Sequence, residues 1–108
     1  MQTVFSGPEL CRKQAHEVIA LLKSGDISPQ DCLDAAFTRI ADVEPAINAM
    51  PTLCPERAYA AAESLALPDD GRAAWLAGLP LAIKDLNMVA GVRTTFGTKG
   101  FSDFVPEN

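Results

Sequence analysis

The chain has 108 residues, 48% hydrophobic and 21% charged, which is the balance of an ordinary globular domain and excludes a disordered one. Its net charge is −5, and nine basic residues are scattered without a patch or stripe, which argues against direct nucleic-acid binding. No apolar run reaches the roughly 18 residues of a membrane span, and Met1-Gln2-Thr3-Val4-Phe5 lacks the basic region and apolar core of a signal peptide.

Ser6-Gly7-Pro8-Glu9 predicts a helix start, with Ser6 as cap, Pro8 in the first turn and Glu9 completing a capping box. Cys11, Ala15, Val18, Ile19 and Leu22 then form one apolar face, and Ser24-Gly25 closes the helix. Arg12, Lys13, Glu17 and Lys23 give a solvated opposite face. Asp26-Ile27 connects to a second start at Ser28-Pro29-Gln30-Asp31, whose helix buries Leu33, Ala36, Phe37 and Ile40, extended by Val43 or Glu44, and stops at Pro45. The two helices are expected to pack as a hairpin over residues 8–44. Ala46-Ile47-Asn48-Ala49-Met50 reads as a short extended piece. Pro55 opens a third helix to about residue 66, with Ala58, Ala61, Ala62 and Leu65 on a narrow face, so that a strand and a helix fill residues 46–67. Leu67-Pro68-Asp69-Asp70-Gly71-Arg72 is a polar, cleavable loop. There is no internal repeat.

After Trp75-Leu76-Ala77-Gly78, the residues Leu79, Leu81 and Ile83 alternate with Pro80, Ala82 and Lys84, which predicts a strand apolar on both faces and buried on two sides. Lys84 is the candidate catalytic residue. An amine where an apolar strand meets a loop is partly stripped of water, which disfavours the ammonium and makes the lysine a base. The plain alternative is a strand-end lysine that reaches solvent. Asp85 points the other way on a strand and suits backbone acceptance in the turn better than catalysis. Gly91 serves the turn, and Thr94-Thr95 hydrogen-bond nearby backbone or lie near a cleft. Phe101 and Phe104 pack back on the chain or onto further structure. Cys11, Cys32 and Cys54 are odd in number and lack a Cys-x-x-Cys, which favours reduced thiols in a cytoplasmic protein over a disulfide framework or a zinc site. The sole histidine, His16, stands near Cys11, but a helix-surface histidine and a half-buried cysteine account for that pair without chemistry.

Gly78-Leu79-Pro80-Leu81-Ala82-Ile83-Lys84-Asp85, then Val89-Ala90-Gly91, then Thr94-Thr95-Phe96-Gly97-Thr98, closely resembles the lysine segment of the amidase signature family. That segment runs Gly-(Val/Leu)-Pro-apolar-Ala-apolar-Lys-Asp, a few residues, Ala-Gly, then Thr-Thr-x-Gly-Ser. The Ser28-Pro29 helix start is similar to the family's N-terminal helices, less specifically. The resemblance implies an α/β fold in which N-terminal helices join short strands of a mixed sheet, incomplete in this chain. Residues 46–50 would be a strand, and residues 78–98 the lysine-bearing strand and turn. It implies a Ser–Ser–Lys triad with Lys84 at the base end: one serine attacks an amide carbonyl, a second relays its proton to the lysine, and backbone amides hold the oxyanion. Met88 stands where the family often has aspartate, and Thr98 where it has serine.

In the family the segment supplying both serines and the oxyanion hole lies beyond these positions. Residues 1–108 are therefore expected to be an N-terminal part of an amidase signature domain, inactive by itself. The resemblance implies hydrolysis of a small-molecule amide, with no metal or organic cofactor. Alternatives are the A subunit of a tRNA-dependent glutamine amidotransferase, which shares the segment, and a truncated, non-catalytic interaction module. A central strand short of neighbours leaves bare edges. The chain is thus expected to be unstable alone, or docked on the remaining part of the amidase domain, another chain or a second copy.

Overall fold

The computed structural model describes residues 5–65 and 75–108. They fall into two units: Met1–Ala49 with Pro55–Pro80, and Met50–Cys54 with Leu81–Asn108. The expected loop at 67–72 and the end of the third helix near residue 66 lie outside the described residues.

The first unit is helical. The single helix expected from Ser6 is instead a 3-10 turn, Glu9–Arg12, followed by α1, Ala15–Ser24. Lys13 and Gln14 are both extended (ψ 152° and 156°) and separate the two. The capping acceptor lies further along than Ser6: the Glu17 carboxylate takes the Gln14 N–H at 3.3 Å, so α1 starts about two turns later. At the other end Gly25 has φ +80°, and the Asp26 N–H reaches back to the Leu21 carbonyl at 3.1 Å, closing the helix as the sequence predicts.

Helix α2, Pro29–Ile47, opens as expected. The Ser28 hydroxyl accepts from the Asp31 N–H at 3.1 Å, and the Asp31 carboxylate accepts from the Ser28 N–H at 2.9 Å. Two orphan donors are satisfied reciprocally. Pro45 does not stop the helix. Proline removes only its own N–H, and the ladder resumes with the Asn48 N–H on the Glu44 carbonyl at 2.8 Å. Asn48, at φ +48°, ends it, since asparagine tolerates the left-handed region. Ala46 and Ile47 are therefore helical, and the strand expected at 46–50 is absent. Helix α3, Pro55–Glu63, packs on α2 through Tyr59, whose ring stacks on Phe37 at 5.8 Å and whose hydroxyl donates to the Asp34 carboxylate.

The core of this unit joins Val18 and Leu22 of α1 to Cys32 of α2 and to Ala77, flanked by Ile19, Ile27, Trp75 and Leu79. Cys32 is buried one residue before the stripe read from the sequence begins. Gly78 is required twice over. Its φ is +96°, and a Cβ there would lie 2.7 Å from Cγ of Pro29 and 3.0 Å from Cδ2 of Leu65.

The second unit is built from turns. The Asn87 N–H closes on the Lys84 carbonyl at 2.9 Å, and the Val92 N–H on Val89 at 3.0 Å with Gly91 at φ +78°. A 3-10 turn, Lys99–Phe101, follows Thr98. The tail folds back: Gly91 N–H donates to the Pro106 carbonyl at 2.9 Å and Thr94 N–H to Phe104 at 3.0 Å. Phe101 and Phe104 do pack on the chain, with ring centroids 5.2 and 6.2 Å from Phe96 and 5.6 Å from each other. Among the described residues no β-strand forms; the sole sheet-like pairing is an isolated antiparallel bridge, Val89 to Val92. The buried strand expected at 79–84 is corrected accordingly. Leu81 is 67% and Ile83 59% exposed. A strand needs a neighbour for its amides, and residues 81–83 have none among the described residues.

Two substitutions rank these constraints. Ser28→Ala should cost about 1 kcal/mol through the lost cap. Gly78→Ala should cost more, roughly 2–3 kcal/mol, because it adds left-handed strain to a clash with a proline ring. Urea melts of the two variants against the parent chain check the order; equal midpoints would show that Gly78 does not sit against Pro29.

Candidate functional site

The candidate site is the turn that carries Lys84. Its backbone position is fixed from the next residue. One Asp85 oxygen accepts the Thr95 N–H at 2.9 Å, and the other accepts the Thr95 hydroxyl. A single carboxylate thus ties the 84–87 turn to a residue ten positions away. The Thr95 hydroxyl, and then the Thr95 N–H, hold Asp85 below the ordinary carboxylate range, assisted by the charge of Arg93 and opposed by partial burial. Asp85 serves the turn, as its sequence context suggests.

Thr95 is itself locked. Its hydroxyl oxygen accepts the Gly97 N–H at 3.2 Å, and its carbonyl accepts the Thr98 N–H at 3.0 Å. The two central residues of that turn, Phe96 and Gly97, have φ of +52° and +72°. Glycine takes this freely; Phe96 takes it under strain, held by its two aromatic neighbours. Thr94 is 3% and Thr95 7% exposed, and the Thr94 hydroxyl donates to the Val92 carbonyl at 3.3 Å. Both threonines spend their hydroxyls on nearby loop groups.

Arg93 was not singled out by sequence reasoning. Its guanidinium donates to the Ser102 carbonyl through Nε, and through Nη1 to the Pro51 carbonyl at 2.9 Å and the Thr52 hydroxyl at 3.0 Å. Three stretches of the second unit meet on one side chain. The signal was faint: a lone arginine between a glycine turn and two threonines, with acceptors that are mostly backbone carbonyls.

Lys84 itself is exposed, and its side chain has no hydrogen bond or ion pair among the described residues. The desolvated amine expected from an apolar strand is therefore not what this chain presents. Its near neighbours in sequence are apolar and equally exposed: Leu81, Ile83, Leu86 and Met88. Thr98, at the position of the family's serine, accepts the Gly100 N–H at 3.4 Å and caps the 3-10 turn. His16 and Cys11 are both exposed, with His16 on α1 and Cys11 on the preceding 3-10 turn. Among the described residues no three His, Cys, Asp or Glu side chains gather as a metal site, and no helix is long and apolar enough to cross a membrane.

Comparison with known proteins bears on the same segment. A family model described as Amidase matches residues 31–108. The chain is 42% identical over 92 residues to the A subunit of a glutamyl-tRNA(Gln) amidotransferase from Pelobacter propionicus, covering 84% of this chain and 19% of that protein. It is 39% identical over 98 residues to the protein of the same name from Halothermothrix orenii, covering 91% of this chain and 19% of that one. With the namesake from Geobacter metallireducens the figures are 38% over 99 residues, 91% and 20%. The chain spans about a fifth of the length of these curated relatives. No solved structure gives a significant match. The lysine motif, the turns that hold it and the family match over residues 31–108 agree: the chain belongs to the amidase signature family.

Proposed function

We propose that this chain carries the proton-accepting lysine of an amide-cleaving site and works as part of the A subunit of a tRNA-dependent glutamine amidotransferase. The observation that carries this reading is the 42% identity over 92 residues to a protein of that name. In it Lys84 is the base end of a Ser–Ser–Lys relay, and the glutamine side-chain amide is the bond cleaved. The reduced cysteines fit a cytoplasmic setting. A free-standing amidase acting on a small amide is the second reading, favoured by the family description, which names no partner.

A base must be neutral when it accepts its proton, so an exposed ammonium has to lose water first. The surface around Lys84 supports a way to do so. Residues 81–83 have no backbone partner among the described residues, and Leu81, Ile83, Leu86 and Met88 offer apolar side chains. An element that pairs with that backbone and covers those side chains also dries the amine. We assign this covering role to the remaining part of the amidase domain or to another chain. Self-association of the isolated chain is the outcome to look for when neither is present.

In the complete amidase-domain protein, Lys84→Ala should lower amide hydrolysis by about 10²–10⁴-fold with the fold retained. Lys84→Arg should be as inactive, because a guanidinium keeps the charge but does not deprotonate. Activity of the arginine variant near the parent level would mean that Lys84 acts as a cation and not as a base. Glutaminase assays with and without the partner subunits separate the amidotransferase reading from the free-standing one.

Asp85 has its own signature. Because folding lowers its pKa, the stability it lends is fully present above the ordinary aspartate range and is lost as pH falls through the lowered value. The Thr95 amide resonance should therefore titrate with a midpoint below that range, and Asp85→Asn should abolish the titration. A midpoint at the ordinary aspartate value would show that the Asp85–Thr95 bonds do not persist in solution.

A further inference from the structure

We infer that Cys11 and Cys32 form a peroxide-responsive thiol pair that closes to a disulfide on oxidation. Both cysteines line one open cavity of about 260 Å³ in the helical unit, together with Lys13, Val18, Ala36 and Leu79. The Cys11 thiol donates to the Ala35 carbonyl of α2 at 3.6 Å. Ala35 lies three residues after Cys32, and residues three apart are neighbours on a helix face, with Cβ atoms about 5–6 Å apart. Both thiols thus line one cavity, with Cys11 held against the backbone of α2 one turn beyond Cys32.

A disulfide brings the Cβ atoms to about 3.5–4.5 Å, so on oxidation Cys11 leaves the Ala35 carbonyl for Cys32. The 3-10 turn that carries Cys11 is built for that. Its backbone bonds are local, Cys11 N–H to Pro8 at 3.0 Å and Lys13 N–H to Leu10 at 3.3 Å, and the extended Lys13-Gln14 pair separates it from α1. Its hydrogen bond to α2 is a weak thiol donor.

The two thiols have different surroundings and different parts to play. Cys11 is exposed and meets the oxidant; Cys32 is buried and resolves the product. Burial first, and then the charge of Asp31, push the Cys32 thiol up, so it reacts slowly with peroxide on its own. The Cys11 thiolate attacks one oxygen of hydrogen peroxide. The O–O bond breaks, and the leaving hydroxide is protonated to water, which leaves Cys11 as a sulfenic acid. The Cys32 sulfur then attacks the Cys11 sulfur, the S–O bond breaks, and the departing hydroxide takes the Cys32 proton as a second water. Two thiols and one peroxide give one disulfide and two waters. Cys54 is exposed but belongs to the other unit, and the pair does not require it.

The test is peptide mapping of the full chain after reduction, treatment with equimolar hydrogen peroxide and alkylation of the remaining thiols. A linked Cys11–Cys32 peptide pair with Cys54 alkylated is the expected result, and Cys54→Ser should leave the link intact. Cys32→Ser should trap the Cys11 sulfenic acid, raising its dimedone labelling by on the order of tenfold over the parent chain. Should that variant fail to fold, the Cys54→Ser chain carries the test alone. Links through Cys54, bridges between chains, or Cys11 over-oxidised while Cys32 still alkylates would each overturn the pairing.

Discussion

Two hydrogen bonds from Thr95 to the Asp85 carboxylate hold the lysine segment in shape. Charge-assisted bonds of this kind are shorter and stronger than neutral ones. Here they join the turn after Lys84 to the turn that starts at Thr95, in a unit with no sheet to hold either. The Thr95 hydroxyl also accepts from Gly97, so one side chain sets both its own turn and the distant one. Without the carboxylate, residues 84–87 would keep, among the described residues, the backbone bond from Asn87 to Lys84.

The residue types in the family string acquire separate physical reasons once the structure is in view. Gly78 allows a left-handed turn hard against Pro29, the first residue of α2. Gly91 and Gly97 occupy positive φ in two tight turns. Asp85 and Thr95 are acceptor and donor of one clamp, and Thr94 closes locally on Val92. Lys84, like Leu81 and Ile83 beside it, is exposed and has no hydrogen-bond partner for its side chain among the described residues.

What could be read from the sequence was local. Ser28 with Asp31, and Gly25, act within a few residues of themselves, so their pattern and their structure coincide. Ser6 and Pro45 misled because each had a competitor nearby: Glu17 offered a better cap, and Asn48 a better terminus. The strand at 79–84 misled for a different reason. Alternation reports which faces a strand would bury, and says nothing about whether a neighbour is at hand. Cys32 and Arg93 were missed because their roles depend on partners far along the chain, in the core and at residues 51–52 and 102.

The exposed lysine and the exposed apolar residues around it pose one problem and not two. Leu81 and Ile83 favour any contact that removes them from water, by roughly 1.5–3 kcal/mol for each side chain fully buried. An ammonium opposes the same contact, because dehydration without a counter-charge is unfavourable. The conflict disappears if the lysine sheds its proton as the surface is covered. On the proposed function, apolar burial would then favour the deprotonation that a general base requires, and the chemistry would become available once the segment has been covered. On the proposed function, assembly around residues 81–88 is thus the step that turns Lys84 from a solvated cation into a base.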